Sequence, residues 1–181
     1  MLILASASPR RHELLRAAGI DHVVRPSYIP ESREPGETAE NFVRRLSKEK
    51  VDACDQSGAD TVLGADTVVC LEGEVLGKPA DAGDAVRMLQ QLAGREHRVL
   101  TGIHLKTHDR AVSDLAETRV WFSPMTREEI QEYVSTGEPM DKAGAYGIQG
   151  FASRFVYRIE GCYQNVVGLP VSLVYKYLNT L

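Results

Sequence analysis

The sequence predicts an α/β domain built on a mixed β-sheet and covered by helices. Three observations predict it. Strand and helix patterns alternate through the first half of the chain, which calls for parallel pairing with helical crossovers. Further on, strand patterns follow one another across short turns, which calls for antiparallel hairpins. No repeat, low-complexity tract or clear linker divides the 181 residues, so one domain spanning 1–181 is expected, with length enough for a sizeable core.

Leu2-Ile3-Leu4-Ala5 reads as a short buried strand, and a loop of small residues and hydroxyls follows it. Pro9 then opens a helix with Leu14, Leu15 and Ala18 on one face and Gly19 as its stop. His22 to Arg25 is a short strand. Pro26 to Glu37, polar and holding three prolines and Gly36, is a long loop of the kind that often carries function. Thr38 caps a second helix with Ala39, Phe42, Val43, Leu46 and Val51 buried. Thr61 to Leu71 is a buried strand, Glu72-Gly73 a tight turn, and Glu74 to Leu76 its returning partner. Asp81 caps a helix that ends near Gly94 and buries Ala85, Met88, Leu89 and Leu92. Strands fit His97 to Thr107 and Asp114 to Phe122, joined around His108-Asp109-Arg110. Thr126 to Glu129 is a capping box for a helix that ends before Gly137. Lys142 to Gly150 is irregular and rich in glycine; a strand near Phe155 to Ile159 and a helix from about Pro170 close the chain.

Composition narrows the function. Apolar residues make up 43% and charged residues 25%, as in an ordinary globular protein. The net charge of -4 lacks the basic footprint of a nucleic-acid binder, and no apolar run is long enough to span a membrane. Three scattered cysteines form neither a disulfide framework nor a zinc motif, so each reads as a small core residue, and a reducing cytoplasm is the expected compartment. The five histidines form no HExxH, and are expected in the core or at the surface, not as ligands.

Three segments carry candidate chemistry. In the first, Ser6 to Arg11, small residues let a ligand approach the backbone, and amides at a helix start face it. Two arginines there oppose the helix dipole, a conflict that a bound phosphate would relieve; an ordinary strand-to-helix turn capped by Ser8 accounts for the same residues. The second is Asp66-Thr67 inside the apolar strand. A buried aspartate is costly unless paired or bound to metal, and Gly64 and Ala65 clear space beside it. A structural aspartate that caps amides or pairs with one lysine is the competing reading. A phosphatase DxDxT fails at positions 64 and 68, and Gly73 to Pro79 fails as a P-loop, although Lys78 stands at a turn before a helix. The third is Asp141 to Gly150, able to pass close to a planar ligand, with Gln149 offering a carboxamide that both donates and accepts toward a base edge.

Together these segments resemble the Maf family of nucleotide pyrophosphatases: LASASPRRHELL at residues 4–15, GADTVV at 64–69 with GKP at 77–79, and DKAGAYGIQG at 141–150, ending with Val166-Val167-Gly168-Leu169-Pro170. The resemblance runs the whole chain and looks like the branch acting on dTTP and UTP. It implies a two-lobed, ITPase-like α/β fold, with a central mixed sheet, flanking helices and a cleft between lobes, often dimeric. It implies hydrolysis between the α and β phosphates of a nucleoside triphosphate, normal or modified, to the monophosphate and pyrophosphate with Mg²⁺ or Mn²⁺, as a house-cleaning activity linked to cell division arrest. Asp66 matches the catalytic aspartate. Arg10, Thr67 and Gln149 match positions associated with base specificity. Ser6, Ser8, Arg11, Glu31, Lys50 and Lys78 match the other polar cleft positions, with Asp66 and Glu31 as metal-holding carboxylates and the rest facing phosphate.

The chemistry of that assignment is coherent. Phosphoryl chemistry needs positioning and charge neutralisation, for which Arg11, Lys50 and Lys78 supply cations. Nearby cations are expected to hold the Asp66 carboxyl low. Proton acceptor, metal ligand, or both are open to it. The rival class is a regulatory protein of septum formation that acts by binding a partner.

Overall fold

The computed structural model describes residues 1–181 and contains seven strands and six α-helices in one mixed sheet. The strands are β1 Leu2–Leu4, β2 His22–Val24, β3 Thr61–Leu71, β4 Glu74–Leu76, β5 Glu96–Thr107, β6 Ala111–Phe122 and β7 Val156–Glu160. Their order is β2-β1-β3-β5-β6-β7, with β4 paired to β3. β1 runs parallel to both β2 and β3, whereas β3–β4 and β6–β7 are antiparallel, which is the mixed sheet expected. The helices are α1 Pro9–Ala17, α2 Ala39–Asp52, α3 Ala82–Leu92, α4 Arg127–Ser135, α5 Tyr163–Val167 and α6 Val171–Leu178. None is long and apolar enough to cross a membrane. The chain divides into two compact units, the first Met1–Thr67, Thr101–Ala116 and Gly168–Leu181, the second Val68–Leu100 and Glu117–Val167.

In the first unit, β1 is buried on both faces, and strand alternation sends its residues into two cores. Leu2 and Leu4 join Leu15, Leu63, Ala65, Ile103 and Val174 on one side. Ile3 and Ala5 join Val51, Cys54 and Val62 on the other. The second face is the one α2 covers. α2 starts at Thr38, whose side chain accepts the Asn41 N–H at 3.2 Å, and buries Phe42, Val43, Leu46, Ser47, Lys50 and Val51. Two glycines let it lie flush on the strands. A Cβ on Gly64 of β3 would overlap the Ser47 carbonyl oxygen and come within 2.7 Å of Val51 Cγ2; a Cβ on Gly102 of β5 would strike the backbone at Val43 and Arg44. Gly64 thus clears room for α2. The space that Gly64 is expected to clear beside Asp66 is taken up by that helix.

α1 buries Leu15 fully and Leu14 partly, but Ala18, expected on the buried face, is exposed beyond the helix end. The chain has already turned there: Gly19, at φ +68°, donates its N–H to Arg16 O, and Ile20 donates to Leu15 O, both at 3.0 Å.

In the second unit, Glu72 and Gly73 both take positive φ in the two-residue turn joining β3 to β4. Asp81 caps α3 by accepting the Asp84 N–H at 2.8 Å, and Thr126 and Glu129 form the expected capping box of α4. His97, Phe122 and Tyr146 pack edge to face at 4.7–5.4 Å, and the Tyr146 hydroxyl lies 2.7 Å from His97 Nε2. One 3-10 turn, Ala143–Ala145, lies within the stretch read as irregular, and two others, Glu138–Asp141 and Phe151–Arg154, flank it.

Two strand starts and one short helix differ from expectation. β6 begins at Ala111 and not Asp114, because the Thr107 N–H to Arg110 O bond and the Arg110 N–H to Thr107 Oγ1 bond close the turn at once. β7 begins at Val156, since Phe155 ends a 3-10 turn and faces the core. The five-residue α5 went unseen, being too short for a periodic signal. Cys54 and Cys70 are buried as expected, while Cys162 is only half-buried.

Candidate functional site

The candidate site of the first unit grows from the face β3 turns to α2. Val62, Gly64 and Asp66 alternate along one side of the strand. Gly64 seats α2, and Lys50 of that helix then reaches Asp66: Lys50 Nζ lies 2.6 Å from Asp66 Oδ1. Glu31, from the long loop, places Oε1 at 2.6 Å from the same ammonium. One buried cation therefore joins two carboxylates from segments far apart in sequence. Lys50 and Asp66 are 6% and 7% exposed, so neither charge is stable there without the other.

The competing structural reading, an aspartate paired with a lysine, explains the first contact and leaves Glu31 unexplained. Lys50 engages only Oδ1, and Oδ2 of Asp66 carries no hydrogen bond. Burial pushes the Asp66 carboxyl up, opposed by Lys50 and Arg11 and reinforced by Glu31. The expectation that neighbouring cations hold it low is corrected by that balance, in which desolvation wins. A raised carboxyl is the better proton acceptor of the two states.

Arg11 is buried and clamps three segments. Its Nη1 donates to Ser6 Oγ and to the Ala65 carbonyl, both at 2.9 Å; Nε donates to the Gly168 carbonyl at 2.9 Å; Nη2 donates to Thr67 Oγ1 at 3.0 Å. Burial pushes this guanidinium down, and Asp66 and Glu31 pull it back. The conflict between arginine and helix start is thus relieved by the protein's own oxygens, with one Nη2 N–H left over. Thr67 completes the clamp, 2.9 Å from Thr101 Oγ1 and 3.3 Å from the Gly168 carbonyl. Ser6 Oγ also accepts the Ser8 N–H at 3.3 Å. Ser8 occupies the N-cap position, yet its side chain makes no cap bond. Arg10 is half-buried in the first turn of α1, beside Arg11.

The structure brings Glu31, Lys50 and Asp66 into one cluster and Ser6, Arg11 and Thr67 into another beside it, with Ser8 attached through its amide and Arg11 feeling the charges of Asp66 and Glu31. Thr101 and Gly168 were not foreseen, because hydroxyl and carbonyl partners leave no pattern in sequence. No group of three or more His, Cys, Asp and Glu side chains gathers anywhere. Two hard oxygen donors, Asp66 and Glu31, already converge on a cation, so they fit an oxygen-preferring divalent ion whose other ligands come from phosphate and water.

Lys78 and Gln149 belong to the second unit. Lys78 is exposed in the bend after β4. Gln149 is exposed on the glycine-rich loop, and the loop's shape has local causes. Gly144, at φ +67°, packs where a Cβ would meet Val69 within 3 Å, and Gly150 packs against the Glu138 carboxylate. Tyr133 donates to Glu138 Oε1 at 3.0 Å and accepts the Gly147 N–H at 3.1 Å, and the Phe151 N–H donates to Glu138 Oε2 at 3.2 Å. Buried Tyr133 and half-buried Glu138 therefore brace the segment that presents Gln149.

Comparison with known proteins converges on one family. The model of the family described as "Maf-like protein" matches residues 1–181. The dTTP/UTP pyrophosphatase of Geobacter metallireducens is 51% identical over 183 residues, covering 99% of this chain and 95% of that protein. The dTTP/UTP pyrophosphatase of Symbiobacterium thermophilum is 52% identical over 172 residues, covering 94% and 88%. Among solved structures, the Ham1 protein of Staphylococcus aureus matches with a TM-score of 0.54 at 15% identity, over 99% of this chain and 98% of that one. A HAM1 protein from Coxiella burnetii matches with 0.51 at 14%, over the same shares. Those two likenesses are of fold alone.

Proposed function

The chain belongs to the Maf-like protein family, and from that premise we propose that it is a nucleoside triphosphate pyrophosphatase that hydrolyses dTTP and UTP between the α and β phosphates. The observation that carries the reading is the buried Asp66, tied to Lys50 and through it to Glu31, with one carboxylate oxygen uncommitted. The names of the relatives supply the substrate class; the site supplies the means.

Hydrolysis at the α-phosphorus needs a water that loses a proton as it attacks, and charge stabilisation on the phosphate oxygens. Asp66 Oδ2 takes that proton, aided by the burial that raises its affinity for it. Lys50 holds the carboxylate in place through Oδ1. Arg11 fixes the first loop against β3 and contributes its charge and remaining N–H toward phosphate, with Ser6 and Ser8 lining that loop. Lys78 adds a second phosphate-facing cation. Asp66 and Glu31 would hold Mg²⁺ or Mn²⁺, which supplies neutralisation of the triphosphate charge when bound. Arg10, Thr67 and Gln149 select the pyrimidine, with the Gln149 carboxamide reading the base edge.

The test is release of pyrophosphate from a panel of pyrimidine and purine triphosphates with Mg²⁺ or Mn²⁺, with products identified. Pyrophosphate and monophosphate from dTTP and UTP in preference to the purines support the reading. Orthophosphate and diphosphate, or no product from any of them, refute it.

A further inference from the structure

The long loop between β2 and α2 contains no helix or strand, yet it delivers Glu31 to a contact of 2.6 Å. Something other than backbone pairing must hold it. The structure points to α2. Arg45, five residues before Lys50 on that helix, grips the loop in a fork: Nε donates to Glu37 Oε1 and Nη2 to Glu37 Oε2, both at 2.8 Å. The same Nη2 donates to the Ser32 carbonyl at 3.0 Å, next to Glu31 in the chain. Nη1 donates to Glu49 at 3.1 Å, one helical turn on, which fixes the guanidinium on its own helix.

Glu37 passes the hold back into the loop. Its Oε2 accepts the Glu34 N–H at 3.1 Å, and its carbonyl accepts from Arg33 Nε at 2.9 Å and Nη2 at 2.6 Å. The Glu37 side chain is only 8% exposed, unusual for a carboxylate in an otherwise exposed loop. One helix thus holds the loop twice, at Glu31 through Lys50 and at Ser32 and Glu37 through Arg45.

We propose that Arg45 is a positioning residue for the reaction, fixing Ser32 to Glu37 on α2 so that the Glu31 carboxylate is held at Lys50 and Asp66. The inference rests on the proposed role of Glu31 at the site. Arg45 touches no reacting group, so its effect must pass through Glu31. A fork to both carboxylate oxygens with a third bond to a carbonyl is within reach of guanidinium and not of an ammonium.

The experiment is a double-mutant cycle on dTTP hydrolysis with Arg45→Met and Glu31→Gln, singly and together, and Arg45→Lys as the conservative variant. Trypsin cleavage after Arg33 and the melting temperature are measured in parallel. Arg45→Met is expected to lower kcat/KM about ten-fold, and Arg45→Lys to recover only part of that loss. The double variant is expected to match Glu31→Gln, because Arg45 then has nothing left to position. Cleavage after Arg33 is expected to accelerate several-fold in Arg45→Met, with the melting temperature little changed. Additive losses in the double variant, or unchanged cleavage, overturn the proposal while leaving the role of Glu31 standing. Wild-type turnover in Glu31→Gln overturns both, and the cleavage rates then report Arg45's hold on the loop as structural only.

Discussion

Gly64→Ala asks whether the seat of α2 on β3 is what aligns Lys50 with Asp66. The added methyl would overlap the Ser47 carbonyl oxygen and stand 2.7 Å from Val51 Cγ2, where ordinary contact begins at 3.4 Å. The helix must retreat by about 1 Å or more, because the nearest atom in the way is the Ser47 backbone oxygen. Lys50 rides on that helix, and its 2.6 Å contact with Asp66 Oδ1 has little slack. Overpacking of this kind costs about 1–3 kcal/mol, partly offset by the ~0.5–1 kcal/mol gained when glycine leaves a strand. For a chain this long each kcal/mol lowers the melting temperature by about 2–4 °C. Misplacement of a catalytic group by ~1 Å can cost about 100-fold in rate, so kcat/KM should fall by ten-fold or more. Thermal melts and pyrophosphate release measure the two effects. Leu92→Ala in the second unit, which opens a cavity and leaves α2 alone, should lower the melting temperature with far less loss of kcat. A Gly64→Ala protein with wild-type melting and turnover would refute the reasoning.

Four further outcomes are expected. Asp66→Asn keeps the fold but loses turnover by at least about 100-fold, read by steady-state kinetics alongside circular dichroism; activity near wild type would remove Asp66 from the mechanism. The acid limb of kcat/KM for the wild type should fall above the usual carboxylate range, because burial raises the Asp66 carboxyl, and a limb inside that range would contradict this assignment. His97 is buried beside Tyr146, and burial pushes its pKa down to about 3, so the neutral ring's stabilisation is full above pH 6.5 and drains as pH falls toward 3. Denaturant midpoints at pH 7 and pH 4.5 should therefore differ less in His97→Gln than in the wild type. Tyr133→Phe removes the bridge between Glu138 and the Gly147 N–H, about 1–3 kcal/mol of buried hydrogen bonding, and should blunt discrimination between dTTP and purine triphosphates more than it lowers kcat; unchanged selectivity would detach the loop from base choice.

The fold was legible where local rules act alone. Thr38, Asp81 and the Thr126–Glu129 box mark helix starts in sequence because a cap satisfies amides within one turn, and Glu72-Gly73 marks its turn because few residues tolerate positive φ there. The site was legible as a set of residue types: a lone aspartate in an apolar strand announces that it must have a partner. Its wiring was not. That Gly64 serves helix packing, that Arg11 spends four bonds on Ser6, Ala65, Thr67 and Gly168, and that Arg45 pins a loop through Glu37 are contacts across up to 157 residues, fixed by tertiary packing. The sign of the Asp66 shift failed for the same reason. Charge partners can be guessed from a sequence, but the depth of burial that outweighs them cannot.

The most direct test of the central claim is hydrolysis of dTTP in heavy-oxygen water, with the products separated and weighed by mass spectrometry. Attack by water on the α-phosphorus places the label in the monophosphate and none in pyrophosphate, and Asp66→Asn should abolish that labelling with the fold intact. Label in pyrophosphate, or diphosphate and labelled orthophosphate as products, would contradict the account.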